Sequence, residues 1–344
     1  MWKRRSRLRI IRLGKSGLKV SKIILGCMSY GDPKWAGWVL PEEESLPLLK
    51  AAYDSGITTW DTADVYSNGR SEMIVKKAIE KFQIPREKLV ILTKCWGLVI
   101  EDNPGLRISQ PGPEWANQHG LSRKHILDAV DNSIRRLGTY IDVLQIHRLD
   151  KDVEAEEIMK ALHDVVQSGK VRYIGGSSMY AHEFAILQFT ATLNHWTPFI
   201  SMQNFYNLAY REEEREMIPF CKKTGVGLIP WSPIARGLLA RPWDDRSSVR
   251  ASGTDMLFNQ FVKRESDIDR EISKRVEKIA KDKEVSMANI AIAWTLHKGT
   301  MPIVGLSSVE RIHDAVKALS IKFSEDELKY LEEAYVPKAV FGHA

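Results

Sequence analysis

The chain has 344 residues, 44% hydrophobic and 27% charged, with a formal net charge of +6. That is the composition of a soluble globular protein, without collagen-like or low-complexity bias, and no run approaches the roughly 18 apolar residues of a membrane span. The positive charge is local. Lys3, Arg4, Arg5, Arg7, Arg9 and Arg12 fall in the first 14 residues, which contain no acid. The remainder is therefore close to neutral, unlike a nucleic-acid-binding body with basic charge spread over a face. Residues 1–8 are expected to be a solvated basic tail rather than a transit peptide or secretory signal. Three cysteines, Cys27, Cys95 and Cys221, fit neither a disulfide scaffold nor a zinc spacing. A reducing, cytoplasmic compartment follows.

The elements alternate in a regular way. Residues 7–22 read as a capping hairpin. IILGCM (23–28) predicts a strand, and 41–56 a helix that opens on Pro and acids and stops at Gly. TTWDTADVY (58–66) is followed by a helix over 71–82, opened by Ser and Glu. LVILTK (89–94) leads into an irregular stretch, 97–121. A helix over 122–138 comes next, with apolar residues at 126, 127, 130, 134 and 137 on one face. IDVLQIH (141–147) precedes a helix over 154–170, VRYIGGSS (171–178) one over 182–193, and FISMQNF (199–205) one over 212–225. VGLIPWS (226–232) is followed by a second irregular stretch, 233–268, and by helices over 269–282 and 286–299. MPIVGL (301–306) precedes helices over 308–319 and 324–335.

Eight near-continuous apolar strands, each followed by a helix, specify a parallel sheet covered by helices. The eightfold count favours a closed (β/α)8 TIM barrel, with 1–344 as a single domain. A doubly wound sheet lacks its G-x-G-x-x-G fingerprint here, and GKSG at 14–17 is not a P-loop. Both irregular stretches follow strands. They therefore belong to the C-terminal rim, where barrel enzymes bind ligands.

Residues at the C-terminal strand ends carry the chemistry. Asp61 ends the second strand, with Asp64 and Tyr66 just beyond. Lys94 ends the third and His147 the fourth. An enclosed Lys needs a partner, and Asp61 is the natural one. Tyr, with an ordinary pKa of about 10, is a poor acid at neutral pH. A neighbouring ammonium stabilises its phenolate and lowers that value. Lys94, held charged by Asp61, is placed to do this, and His147 to orient a carbonyl oxygen. Such a set delivers a proton to a developing alkoxide. No side chain donates hydride, so a nicotinamide cofactor has to supply it. A structural ion pair, or Asp61, Asp64 and His147 as metal ligands, are the alternatives; Lys94 alongside disfavours a cation.

Along residues 10–335 the chain resembles the aldo-keto reductase superfamily. The resemblance is carried by RLGKSGLKVS and LGCMSYG, by DTADVYSNGRSE (61–72), and by LTKC and LQIHRLD around Lys94 and His147. GKVRYIGGSS (169–178), MQNFYN (202–207) and GLIPWSPIARGLL (227–239) extend it. It is most similar to fungal members of the aryl-alcohol dehydrogenase and versiconal hemiacetal acetate reductase type. The resemblance implies Tyr66 as acid/base, Lys94 and Asp61 tuning it, and His147 orienting the carbonyl. It also implies Ser177, Ser178 and Gln203 around a nicotinamide carboxamide, with Trp231 stacked on the ring. Ser178 replaces the Asn of many members. Ser232, Pro233, Ile234, Ala235, Arg236 and Gly237 would wrap the pyrophosphate. At the adenosine end Gly305 stands where many members have Lys. Ser307 and Arg311 remain for a 2′-phosphate, so NADPH is expected over NADH.

Tyr30, Trp35, Trp38, Trp96 and Trp115 lie near the rim loops and are candidates for an aromatic substrate pocket, or for plain packing. The expected function is NADPH-dependent reduction of small carbonyl compounds, aryl or hemiacetal-derived aldehydes among them. Membrane and nucleic-acid partners are not expected. Potassium-channel β-subunits also resemble this superfamily, which keeps a regulatory, NADPH-binding module as the alternative. A metal-dependent barrel hydrolase is a further one.

Overall fold

The computed structural model describes residues 10–108, 111–245 and 267–343. The basic tail at 1–8 and most of the second irregular stretch lie outside the described residues. Two short strands, β1 (Ile10–Arg12) and β2 (Lys19–Ser21), pair antiparallel as the expected hairpin. Eight strands follow: β3 (Ile24–Gly26), β4 (Thr59–Asp61), β5 (Val90–Cys95), β6 (Ile141–Ile146), β7 (Val171–Ser177), β8 (Phe199–Gln203), β9 (Gly227–Leu228) and β10 (Ile303–Gly305). All eight are parallel neighbours in the order β10-β3-β4-β5-β6-β7-β8-β9. The two ends of that sheet meet. Met301 N donates to Leu228 O and Ile303 N to Pro230 O, both at 2.9 Å, and Trp231 bridges to Ile303. The expected (β/α)8 barrel is present.

Helices α1 (Glu42–Asp54), α2 (Arg70–Lys81), α3 (Arg123–Leu137), α4 (Ala155–Gln167), α5 (Ala181–Leu193), α6 (Met217–Thr224), α7 (Asp267–Asp282), α8 (Met287–His297), α9 (Val309–Lys317) and α10 (Glu325–Glu332) accompany the strands. Serines start several of them. The hydroxyls of Ser122, Ser286, Ser308 and Ser324 each accept a first-turn N–H, satisfying donors that lack an intrahelical partner.

Strand periodicity divides the core in two. Leu25, Trp60, Ile91, Leu144 and Ile174 face outward under the helices. Ile24, Leu92, Val143, Ile229 and Ile303 face inward, where Leu13 and Val20 of the hairpin region join them. The hairpin thereby closes the N-terminal mouth with apolar side chains. Two residues further along the same inward faces, Lys94 and Gln145 are polar, as is Asp61 at the end of β4. The barrel interior is thus apolar below and polar at the rim.

Candidate active site

Lys94 is fully buried, and each of its three ammonium protons has an acceptor. Nζ donates to Asp61 Oδ2 at 2.6 Å, to Thr62 O at 2.8 Å and to Tyr66 Oη at 3.3 Å. Asp61 Oδ1 accepts from Gln145 Nε2 at 2.9 Å and Gln203 Nε2 at 3.0 Å, and Gln203 Nε2 also reaches Gln145 Oε1 at 2.7 Å. A buried ion pair survives only with this degree of satisfaction. The packing around it needs Gly175. A Cβ there would lie 2.4 Å from Ser201 Oγ and 3.2 Å from Gln145 Cγ. The His147 ring stands edge-on to Tyr66, centroids 5.8 Å apart.

Burial opposes the Lys94 charge, yet Asp61 and Tyr66 outweigh it and hold the pKa above the ordinary lysine value. Burial lowers His147, reinforced by the Arg148 and Lys94 charges, well below the usual histidine range. The imidazole is therefore neutral. Tyr66 departs from the sequence expectation. Lys94 does pull its pKa down, but burial pushes harder, and the net direction is upward. The resting phenol is protonated, which is the form that donates.

A second polar network lies behind the first. Arg136 pairs with Glu72 at 2.6 Å, and Glu72 accepts from Thr93 Oγ1 at 2.5 Å. Asp64 faces this network, 1% exposed, with no hydrogen-bond partner of normal geometry for either carboxylate oxygen. Burial raises its pKa to about 8, the Glu72 charge adding to the rise and Arg136 opposing it. Asp61, Asp64 and His147 therefore do not converge as a ligand set. Asp61 is committed to Lys94 and the two glutamines, while Asp64 is set against Glu72 and Arg136.

The residues expected around a cofactor occupy the same rim. Ser177 Oγ donates to Gln203 O at 2.8 Å. With Gln203 Nε2 engaged, its Oε1 accepts from no described residue and matches a carboxamide N–H. Ser178 has φ +50°, a left-handed conformation that Asn tolerates better than Ser. Here Asn204 Oδ1 accepts the Ser178 N–H at 2.8 Å and steadies the turn. Trp231 is half-buried. Its Nε1 donates to Ser178 Oγ at 3.1 Å and its ring lies 4.6 Å from Phe205. Ser232, Ala235, Arg236 and Gly237 all have positive φ, strain of the kind that clusters at ligand loops. Pro233 and Ile234 lie within that turn, and Arg236 is buried. Gly305 is exposed at the end of β10, and Arg311 Nη1 donates to Ser307 Oγ at 2.6 Å.

The aromatic candidates divide. Trp35 stands 6.3 Å edge-on from Tyr66 and 5.9 Å from Trp38. Its loop is pinned by Asp32 N donating to Ser67 Oγ at 3.1 Å, a contact that requires Gly31, where a Cβ would lie 2.1 Å from the same oxygen. Trp96 is half-buried beside Cys95, with an unpartnered indole N–H. Trp115 ends the short turn Pro113–Trp115 of the rim loop. Tyr30 is fully buried and its hydroxyl is spent on Leu306 O at 2.6 Å.

Three residues here carry roles that reading the strand ends did not assign. Gln145 lies two residues before His147, on the same inward face, so strand periodicity was its signal. Asn68 ties down the 97–121 loop: Nδ2 donates to Asn103 O at 2.9 Å and Leu106 O at 2.7 Å, and Oδ1 accepts from Ile100 N. No sequence pattern announces that contact. Arg148 is the third; its charge acts on both His147 and Tyr66.

Residues 22–336 match the family described as the aldo/keto reductase family. The chain is 58% identical over 335 residues to versiconal hemiacetal acetate reductase of Aspergillus parasiticus, covering 96% of this chain and 97% of that protein. It is 56% identical over 340 residues to a Schizosaccharomyces pombe protein named provisionally as an aryl-alcohol dehydrogenase, covering 96% of each. It is 50% identical over 344 residues to the aldo-keto reductase AFTS1 of Alternaria alternata, covering 97% and 93%.

Proposed function

The chain belongs to the aldo/keto reductase family, and from that membership and the geometry of its rim we propose that it is an NADPH-dependent carbonyl reductase with Tyr66 as the proton donor. The observation that carries the reading is the fully buried Lys94, bonded at once to Asp61 and to the Tyr66 hydroxyl.

In this reading the chemistry a bound nicotinamide would supply is a hydride for the carbonyl carbon. The chain's own residues handle the oxygen. His147, held neutral, offers an N–H to the carbonyl oxygen and orients it. Tyr66 Oη gives its proton to the alkoxide as negative charge develops. The phenolate left behind sits against the Lys94 ammonium, which Asp61 keeps charged and the two glutamines keep in place. These charges are set before reaction, so no reorganisation is needed when the phenolate forms. Ser177, Ser178, Gln203 and Trp231 would hold the nicotinamide, the turn from Ser232 to Gly237 the pyrophosphate, and Ser307 with Arg311 the 2′-phosphate. Trp35 and Trp96 would line the substrate side, which suits aryl aldehydes and hemiacetal-derived aldehydes of the kind the relatives' names suggest.

Neither nucleic acid nor membrane enters this reading. Among the described residues no helix is long and apolar enough to cross a membrane. Cys27, Cys95 and Cys221 are free and buried, in keeping with a reducing cytoplasm. The test is cofactor oxidation against a panel of aldehydes, with NADPH and NADH in parallel. Turnover of aryl aldehydes faster with NADPH is expected. Tight NADPH binding without turnover of any aldehyde would favour a regulatory binding role instead.

A further inference from the structure

Arg148 follows His147 directly, two positions past the end of β6. Its Nη1 donates to His147 O at 2.6 Å. The guanidinium is close enough to Tyr66 and His147 for its charge to act on both, and its enclosure costs it solvation, lowering its own pKa. Three other enclosed arginines have carboxylate partners: Arg86 has Asp142 at 2.5 Å, Arg136 has Glu72 at 2.6 Å, and Arg211 has Glu214 at 2.7 Å. Arg148 has none among the described residues; a backbone carbonyl is its one hydrogen-bond acceptor there. Arg148 is half-buried, and even partial enclosure of an unneutralised charge is unfavourable. Here it stands beside the catalytic pair, with most of its five N–H donors still free.

We propose that Arg148 is a substrate-recognition residue, whose guanidinium receives a carboxylate carried by the substrate near the carbonyl that Tyr66 and His147 hold. The planar fork of Arg matches a planar carboxylate with two parallel hydrogen bonds. The proposal rests on the carbonyl-reductase reading and narrows its substrates to aldehydes that bear an ionised acid group. The His147 contact sets the guanidinium in place before the substrate arrives, which lowers the entropic cost of recognition.

The test compares 2-, 3- and 4-formylbenzoate with their methyl esters, which keep the shape and remove the charge. The wild-type enzyme should prefer at least one acid over its ester in kcat/KM. Arg148→Met should lower kcat/KM for that acid at least about tenfold, the scale of a charge-assisted hydrogen bond, mainly through KM. The ester should lose clearly less than the acid, its smaller loss reading the Arg148 charge on Tyr66 and His147, and Arg148→Lys should recover part of the difference. Equal losses on acid and ester would overturn the proposal and leave Arg148 as an electrostatic neighbour of Tyr66. No loss on either would overturn it as well. If the wild-type protein turns over no aldehyde, the reductase reading fails on its own. Calorimetric titration of the NADPH-loaded protein with benzoate and benzamide then decides the point. Benzoate binding that disappears in Arg148→Met upholds the carboxylate site, and equal binding by both proteins overturns it.

Discussion

Asp64 and Asp61 lie three positions apart in one motif, yet their surroundings give them opposite fates. Asp61 has an ammonium and two amides around it. Asp64 is buried, lacks hydrogen-bond partners of normal geometry, and sits near another carboxylate. An unfolded Asp titrates near about 4, whereas Asp64 in the fold titrates at about 8. The folded state therefore binds the extra proton across that window. The stability it lends is fully present below about pH 4 and is lost as pH rises towards 8. Asp64→Asn has no proton to lose. Its melting temperature relative to wild type should climb between pH 4 and pH 8 and level off above. A difference that stays flat across that range would contradict the assignment. At this scale the sequence was legible where strand alternation points side chains inward, as for Asp61, Lys94 and His147. It was not legible where tertiary burial decides a charge. That is why an upward pKa for Tyr66, with Lys94 beside it, was not anticipated.

Proline chemistry accounts for two of the elements that differ from their sequence reading. A continuous helix over 212–225 is instead a 3-10 turn, Glu212–Glu214, followed by α6. Pro219 would clash with the carbonyl four residues back in an unbroken helix; starting at Met217 leaves it in the first turn, where no N–H is required. Likewise the strand expected over 226–232 is regular only at Gly227–Leu228. Pro230 has no N–H for the ladder, and pairing resumes as a single bridge at Trp231. The helix expected over 308–319 is α9, which starts at Val309 with the Ser308 side chain as its cap. Arg311 there is exposed and bonded to Ser307, in a first turn whose free N–H groups favour anions. Arg311→Ala should raise KM for NADPH by roughly five- to tenfold and leave KM for NADH nearly unchanged. An equal rise for both would mean that Arg311 does not read the 2′-phosphate.

For the whole molecule, the barrel was the most legible feature, because eight alternations leave few ways to bury eight strands between helices. Closure itself was not written in any one segment. It depends on Met301 and Ile303 reaching the carbonyls of Leu228 and Pro230, a contact between distant parts of the chain. The layering of the interior is what joins fold to chemistry. The apolar floor built by Leu92, Val143 and the hairpin region's Leu13 supports a dry polar layer, in which an ammonium and a phenol are held in contact. The most direct test removes the phenol oxygen and nothing else. Tyr66→Phe keeps the ring between Trp35 and His147, so melting temperature and NADPH dissociation constant should stay close to wild type. Its kcat for aldehyde reduction should fall by at least about 100-fold, the lower range for loss of a general acid. An unchanged kcat, with the fold and cofactor binding intact, would contradict the central claim that Tyr66 donates the proton.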